Sequence, residues 1–135
     1  MTTSAPVSLD AALASFDDLW SPRIVTRVND YDVRIAKVAG EFVWHAHDDT
    51  DEFFLVLDGE LTIALRLPAD GGRESAVTLR RGDVFVVPRG TEHRPSSADG
   101  ASILMFEPTG TVNTGDHEGD VPEHITRTTG SALAG

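Results

Sequence analysis

Cysteine is absent from the 135 residues, which excludes disulfides, thiolate metal sites and thiol nucleophiles; any metal must be held by imidazole and carboxylate. No stretch approaches the roughly 18 consecutive apolar residues of a membrane-spanning helix. The opening MTTSAPVSLDAAL also lacks a positive start followed by an apolar core, so the expectation is a cytoplasmic protein with no membrane partner. Positive charge is scarce: 11 Lys and Arg stand against 22 Asp and Glu, a formal charge of −11. That field repels phosphates and anionic lipid over a Debye length of about 8 Å, so no nucleic-acid partner is expected. Helical periodicity is scarce too, and without crossover helices a parallel α/β fold is excluded.

What remains is an ordinary globular balance, 40% hydrophobic and 24% charged, in a chain long enough for one core. Residues 8–20 place Leu9, Leu13, Phe16 and Trp20 at helical spacing behind Ser8, a candidate N-cap, and Pro22 ends the pattern. Strand patterns follow at 23–28, 31–38 and 41–47, broken at Asn29-Asp30 and Ala39-Gly40. From Glu52 two β-rich runs meet at Asp58-Gly59, which predicts a hairpin. Residues 68–75 form a polar loop, 76–79 and 84–88 are strand runs around the turn at Arg81-Gly82-Asp83, and 101–107 is the last strand. About eight short strands with frequent turns predict an all-β sandwich or barrel. The division expected is a helical arm at 1–22, a barrel at 23–110 and a tail or lid at 111–135, where Thr, Gly and Asp replace hydrophobic periodicity.

His45 and His47, one residue apart on an extended segment, share a face about 7 Å apart along the chain, suited to two cis ligands on one metal. Glu52 lies across a short acidic turn at the head of the next strand and can return to that face. His93 follows a turn shaped by Pro88 and Gly90. Three imidazoles and one carboxylate suit one divalent transition metal, Fe(II), Mn(II), Ni(II), Zn(II) or Co(II), with coordination positions left open. His117 and His124, near Asp116, Glu118 and Glu123, read as solvated tail residues, although the tail can carry Asp116 or His117 across the mouth of a barrel.

In this arrangement the chain resembles the cupin superfamily. The first motif reads Gly40, four residues, His45, Ala46, His47, four residues, Glu52, six residues, Gly59; the second reads Gly82, five residues, Pro88, Arg89, Gly90, two residues, His93, three residues, Ser97. It departs from the family pattern in having four rather than five residues before His45, and Ser97 where Asn is frequent; neither position is a ligand. The resemblance spans about residues 31–107 and implies a single antiparallel β-barrel (double-stranded β-helix, or jelly roll) with a short N-terminal helix. It also implies a metal ion inside, on His45, His47, Glu52 and His93.

Strand alternation then sends Val43, Phe54 and Val56 inward, with Ile63 and Leu65 from the next strand, predicting an apolar substrate pocket. Trp44, alternating with His45, reads as outer packing or dimer surface. Arg34, Lys37, Arg66 and Arg94 read as exposed barrel residues rather than as a sugar-phosphate site. An apolar pocket around a redox-capable metal leans towards dioxygenase chemistry on a small organic molecule, ahead of isomerase or lyase chemistry in which bound water or Glu52 moves protons. The alternative is a non-catalytic cupin that senses or stores a small ligand. Phe16, Trp20, Trp44 and alternate residues of the first strands supply apolar surface that suggests a homodimer.

Overall fold

A computed structural model describes residues 5–133; the first four residues of the expected N-terminal arm and the last two of the tail lie outside them. The chain order is α1 (Leu9–Ala14), β1 (Arg23–Val28), β2 (Tyr31–Glu41), β3 (Glu52–Arg66), β4 (Glu74–Arg80), β5 (Val84–Val87), β6 (Glu92–Pro108) and β7 (Ser131–Ala132). The seven strands form one sheet in the order β4-β3-β6-β2-β1-β7, with β5 paired to the first half of β3. This hydrogen-bonded path does not close. It is mixed rather than wholly antiparallel, because β7 pairs in parallel with β1. No helix among the described residues is long and apolar enough to cross a membrane.

The helix is shorter than its apolar spacing predicts. Ser8 caps it as expected, its hydroxyl oxygen accepting from Ala11 N at 3.1 Å. It stops after Ala14, where the Ser15 hydroxyl donates to Ala12 O. Asp17 and Asp18 come next, and two carboxylates at the negative end of a helix dipole oppose another turn. Phe16 and Trp20 are nonetheless buried. Phe16 joins Ala12 and Ile35 in a small cluster under the helix, and Trp20 stacks on Phe42 while its indole N–H donates to Ala39 O at 2.8 Å.

The hairpin predicted at Asp58-Gly59 is absent. β3 runs straight through these residues, and the buried positions change from even (Glu52, Phe54, Val56) to odd (Leu61, Ile63, Leu65) across them. That phase change is the signature of an inserted residue, a bulge that bends one long strand. Gly59 makes it possible: its φ is 82°, and a Cβ there would stand 2.8 Å from Ala101 Cα on β6. The pairing with β6 slips at the same place, from Gly59↔Ala101 to Thr62↔Ser96. The real reversal lies at the predicted polar loop, where Pro68–Asp70 forms a 3-10 turn before β4.

Two more boundaries move. Ala39-Gly40 is a bulge within β2 rather than a break, while the expected strand 41–47 ends at Glu41; beyond it the chain keeps an isolated bridge between His45 and His93 and single backbone bonds from Phe42 N to Pro95 O and from Gly90 N to His47 O. β6 begins nine residues before the predicted last strand, at Glu92, a stretch whose Pro95, Ser96, Ser97 and Gly100 obscure its strand character. The tail is also not a loose segment. Asn113 and Thr114 are buried, and the Asn113 side chain donates to Thr126 O at 2.7 Å and accepts from Thr128 N at 2.9 Å.

The main core gathers Trp20, Phe42, Phe54, Val56, Ile63, Leu65, Ile103 and Met105 between the curved halves of the sheet. Arg34, expected to be exposed, has no exposed surface at all: inward alternation on β2 places Asp32 and Arg34 beside Glu107 of β6. Its guanidinium donates to Asp32 Oδ2 at 2.9 Å from Nη2, to Glu107 Oε1 at 2.9 Å and to Thr111 O at 2.8 Å. Burial is tolerated because the charge is matched and the donors are used.

Candidate metal centre

The site is assembled by three segments. β3 begins with Glu52, β6 supplies His93 as its second residue, and the short non-strand piece 42–47 carries His45 and His47. Mutual backbone bonds between His45 and His93, 3.0 and 2.8 Å, set the first against the last. All four side chains are buried, and each offers a ligand atom within 4.8 Å of every other.

The hydrogen bonds around the rings settle which nitrogen faces inward. Nδ1 of His45 lies 2.9 Å from Val43 O, and Nδ1 of His93 lies 2.9 Å from Thr91 O. A carbonyl oxygen can only accept, so Nδ1 carries the proton and Nε2 is left with its lone pair. For His93 that lone pair lies 2.8 Å from Glu52 Oε1, itself an acceptor, and the His47 Nε2 is buried with no hydrogen-bond partner, 3.4 Å from the same oxygen. Lone pairs converging on one point require a proton or a cation between them. The donor set, nitrogen and oxygen without sulfur, fits a borderline divalent metal, with the backbone carbonyls aiming the rings as outer-shell partners do.

Electrostatics agree with that reading. Burial raises the Glu52 carboxyl, but the neighbouring His47 and His93 imidazoles outweigh it and hold the group well below the usual carboxylate range. Burial and the neighbouring His93 push His45 down to about 3, keeping it neutral as a metal ligand must be. Burial opposes charge on His47, yet Glu52, then Glu107 and Asp116, raise it. Burial and the Glu52 charge push Glu107 up to about 8 despite Arg34, so its carboxyl is neutral at pH 7.

Two spaces flank the cluster. The inner one, bounded by His45, Glu52, Phe42, Phe54, Ile103 and Met105, holds about 30 Å³, room for a water or two. The outer one is a cleft of about 470 Å³ lined by His47 and the rest of the 46–50 turn and by residues 108–112, 115 and 116. Of the residues expected to line a pocket, Phe54 borders the inner cavity; Val56, Ile63 and Leu65 are buried in the same core, and Val43 packs against it. Trp44 faces outward and lies between guanidiniums, Arg66 at 3.8 Å and Arg94 at 5.2 Å from its ring. Of the residues from which a dimer was expected, Trp20 and Phe16 are buried within the chain and Trp44 is partly covered in this way, while Val28 and Tyr31 of the first strands remain exposed.

Residues 113–116 were the least legible part of the site. Asp116 bonds Ala46 in both directions, its Oδ1 accepting from Ala46 N at 2.7 Å and its own N–H donating to Ala46 O at 3.0 Å. Ala46 sits between the two histidines, so the tail grips the segment that carries them. Gly115, φ 53°, packs so close that a Cβ would stand 3.0 Å from His45 Cδ2. No periodicity marks this stretch, and only the isolated Asp116 hinted at a role. His117 and His124 do not join the cluster; His124 instead pairs through Nε2 with Glu41 O at 2.8 Å.

Fold, motif spacing and ligand geometry define a cupin, and the family model for the cupin domain matches residues 31–107, so the chain belongs to that family. It is 44% identical over 73 residues to the protein YdbB of Bacillus subtilis (strain 168), a match covering 54% of this chain and 59% of that protein; the chain thus spans about three-fifths of that relative. Among solved structures it is similar to a cupin-2 domain containing protein from Shewanella frigidimarina, 39% identical with a TM-score of 0.69, covering 76% of this chain and 93% of the other. It also shares the fold of hydroquinone 1,2-dioxygenase from Sphingomonas sp. TTNP3, at 24% identity and a TM-score of 0.68, covering 77% of this chain and 32% of that one.

Proposed function

We propose that this cupin holds one divalent transition metal on His45, His47, Glu52 and His93 and acts as a metal-dependent enzyme on a small organic molecule, with dioxygenase chemistry ahead of isomerase or lyase chemistry. One observation carries the reading: four buried ligand atoms converge within 4.8 Å of one another, and one of the four residues, His47, also lines a cleft large enough for a substrate. A metal bound there supplies Lewis acidity and, as iron or manganese, redox capacity towards oxygen. Glu52, kept ionised by its histidine partners, is in the protonation state that a metal ligand requires. Phe42, Phe54, Ile103 and Met105 keep bulk water away from the inner side, so polar groups act there in a low dielectric. The dioxygenase preference rests on this chemistry and on a fold-level analogy with the hydroquinone enzyme.

The same proposal includes a jelly-roll barrel at 23–110 with its arm at 1–22 and tail at 111–135, a cytoplasmic location and a homodimer. The second reading, a ligand-binding cupin without turnover, is favoured by the openness of the outer cleft, where no described segment shuts out water. Elemental analysis of protein purified without added metal, followed by oxygen uptake with a panel of hydroquinones, catechols and enols, separates the two. The enzyme reading expects one metal per chain and turnover that disappears in His47→Ala and Glu52→Ala while the far-ultraviolet spectrum is retained. Tight ligand binding with no conversion would establish the binding module instead.

A further inference from the structure

The outer cleft has a chemistry of its own, distinct from the apolar pocket that strand alternation predicts. Its walls carry Asp48, Asp49 and Asp116 and no lysine or arginine. The three threonines that line it have each turned their only hydroxyl proton inwards. Thr50 donates to Asp51 O at 2.9 Å, Thr109 to Asp32 Oδ1 at 2.8 Å and Thr111 to Pro108 O at 2.7 Å. Their lone pairs remain, so carboxylates and hydroxyls alike offer acceptors from the cleft's side chains. His47 lines it as well, is only 7% exposed, and its Nε2 has no partner. A buried, unpartnered ligand atom beside an acceptor-lined cleft marks where a bound molecule would reach the centre.

We infer that the cleft selects a small organic molecule that presents hydrogen-bond donors and carries no negative charge, an ammonium-bearing one ahead of a neutral one, and that it rejects carboxylates and phosphates. The inference rests on the proposed function for the site's location but not for its selectivity, which follows from the walls. In the metal-free protein three carboxylates lining a shared space repel an anion and attract a cation, and a divalent ion bound beside them narrows that difference without being its source. At low salt the difference is about tenfold or more in affinity, and it shrinks as salt shortens the Debye length. An uncharged phenol or polyol falls between, held by its own O–H donors.

A matched set of phenols tests this: tyramine (cation), tyrosol (neutral) and 4-hydroxyphenylacetate (anion). Dissociation constants are measured by ligand-observed NMR on zinc-loaded and on metal-free protein, at low and high salt, with metal content read separately by elemental analysis. The expected order is tyramine, then tyrosol, then 4-hydroxyphenylacetate, with the spread collapsing at high salt and narrowing in the exposed double variant Asp48→Asn, Asp49→Asn, which keeps Asp116. Equal or tighter binding of the anion, a spread undiminished in the double variant, or binding of none of the three overturns the inference. Metal retained alongside a preference for the anion overturns the cleft's selectivity alone. The expected order in a protein that retains no metal supports the selectivity and overturns the proposed function instead.

Discussion

Replacing Gly115 with alanine tests whether the C-terminal tail builds the metal centre or merely covers it. Gly115 has a φ of 53°, where an alanine costs on the order of 1 kcal/mol. Its new Cβ would meet the Ala46 carbonyl group and, at 3.0 Å, His45 Cδ2, so the tail must withdraw. Withdrawal breaks the two bonds between Ala46 and Asp116, 2.7 and 3.0 Å long, each contributing roughly 1 kcal/mol. The sum is about 3 kcal/mol, which in a domain of this size lowers Tm by about 10 °C. The site suffers further, because the 42–47 piece lies outside any strand and, besides the His45–His93 bridge and the bonds of Phe42 N to Pro95 O and Gly90 N to His47 O, is held in place by this grip. Loosening groups that aim metal ligands weakens metal affinity about 10- to 100-fold. Scanning calorimetry and a competition titration with a chelating dye read the two effects. Unchanged Tm together with unchanged metal affinity would refute the claim that the tail holds the two histidines.

The buried charge cluster makes a second prediction: Arg34→Met leaves Asp32 with only Arg27 and Thr109 and should cost about 3–5 kcal/mol in urea unfolding at neutral pH, part of it recovered by adding Asp32→Asn. Glu107 predicts a pH dependence for the metal-free protein. With its pKa raised from 4.5 to about 8, the folded state holds a proton that the unfolded state releases, so this group makes stability fall as pH rises between those values. The Tm difference between Glu107→Gln and the parent should therefore widen in the variant's favour across that window, and a constant difference would count against it. Gly59→Ala should cost at least about 1–2 kcal/mol in thermal unfolding, since φ is 82° and Ala101 Cα leaves no room for a Cβ; a neutral effect would mean that β3 and β6 separate easily at the bend.

The four candidate ligands and the β-rich character could be read directly because both depend on local pattern. Residues two positions apart on extended chain share a face, and runs such as Glu52 to Leu57 have little other use than a strand. The Asp58-Gly59 reading failed for an equally local reason: the same dipeptide that closes a hairpin also permits a bulge, and the choice lay with Gly100 and Ala101, some forty residues away. The short strand content of 92–100 was hidden by proline, serine and glycine, which a sheet accepts only because both neighbours are already in place.

Sequence alone pointed to the donor chemistry of the centre: without cysteine only imidazole and carboxylate remain, covalent geometry along extended chain sets His45 and His47 on one face, and the motif spacing that resembles the cupins adds Glu52 and His93. Tertiary structure decided the rest. Arg34 is buried because Asp32, two residues before it on β2, neutralises its charge and Glu107 on the adjacent strand accepts another of its donors. A stretch without periodicity becomes the clamp on Ala46 because two backbone groups there lack strand partners and Asp116 can satisfy both. The outer cleft becomes rich in acceptors because the hydroxyl protons of Thr50, Thr109 and Thr111 are taken by groups brought beside them by the fold. Hydrogen-bond partners chosen across the fold leave no mark on local composition, and only their meeting in space reveals them.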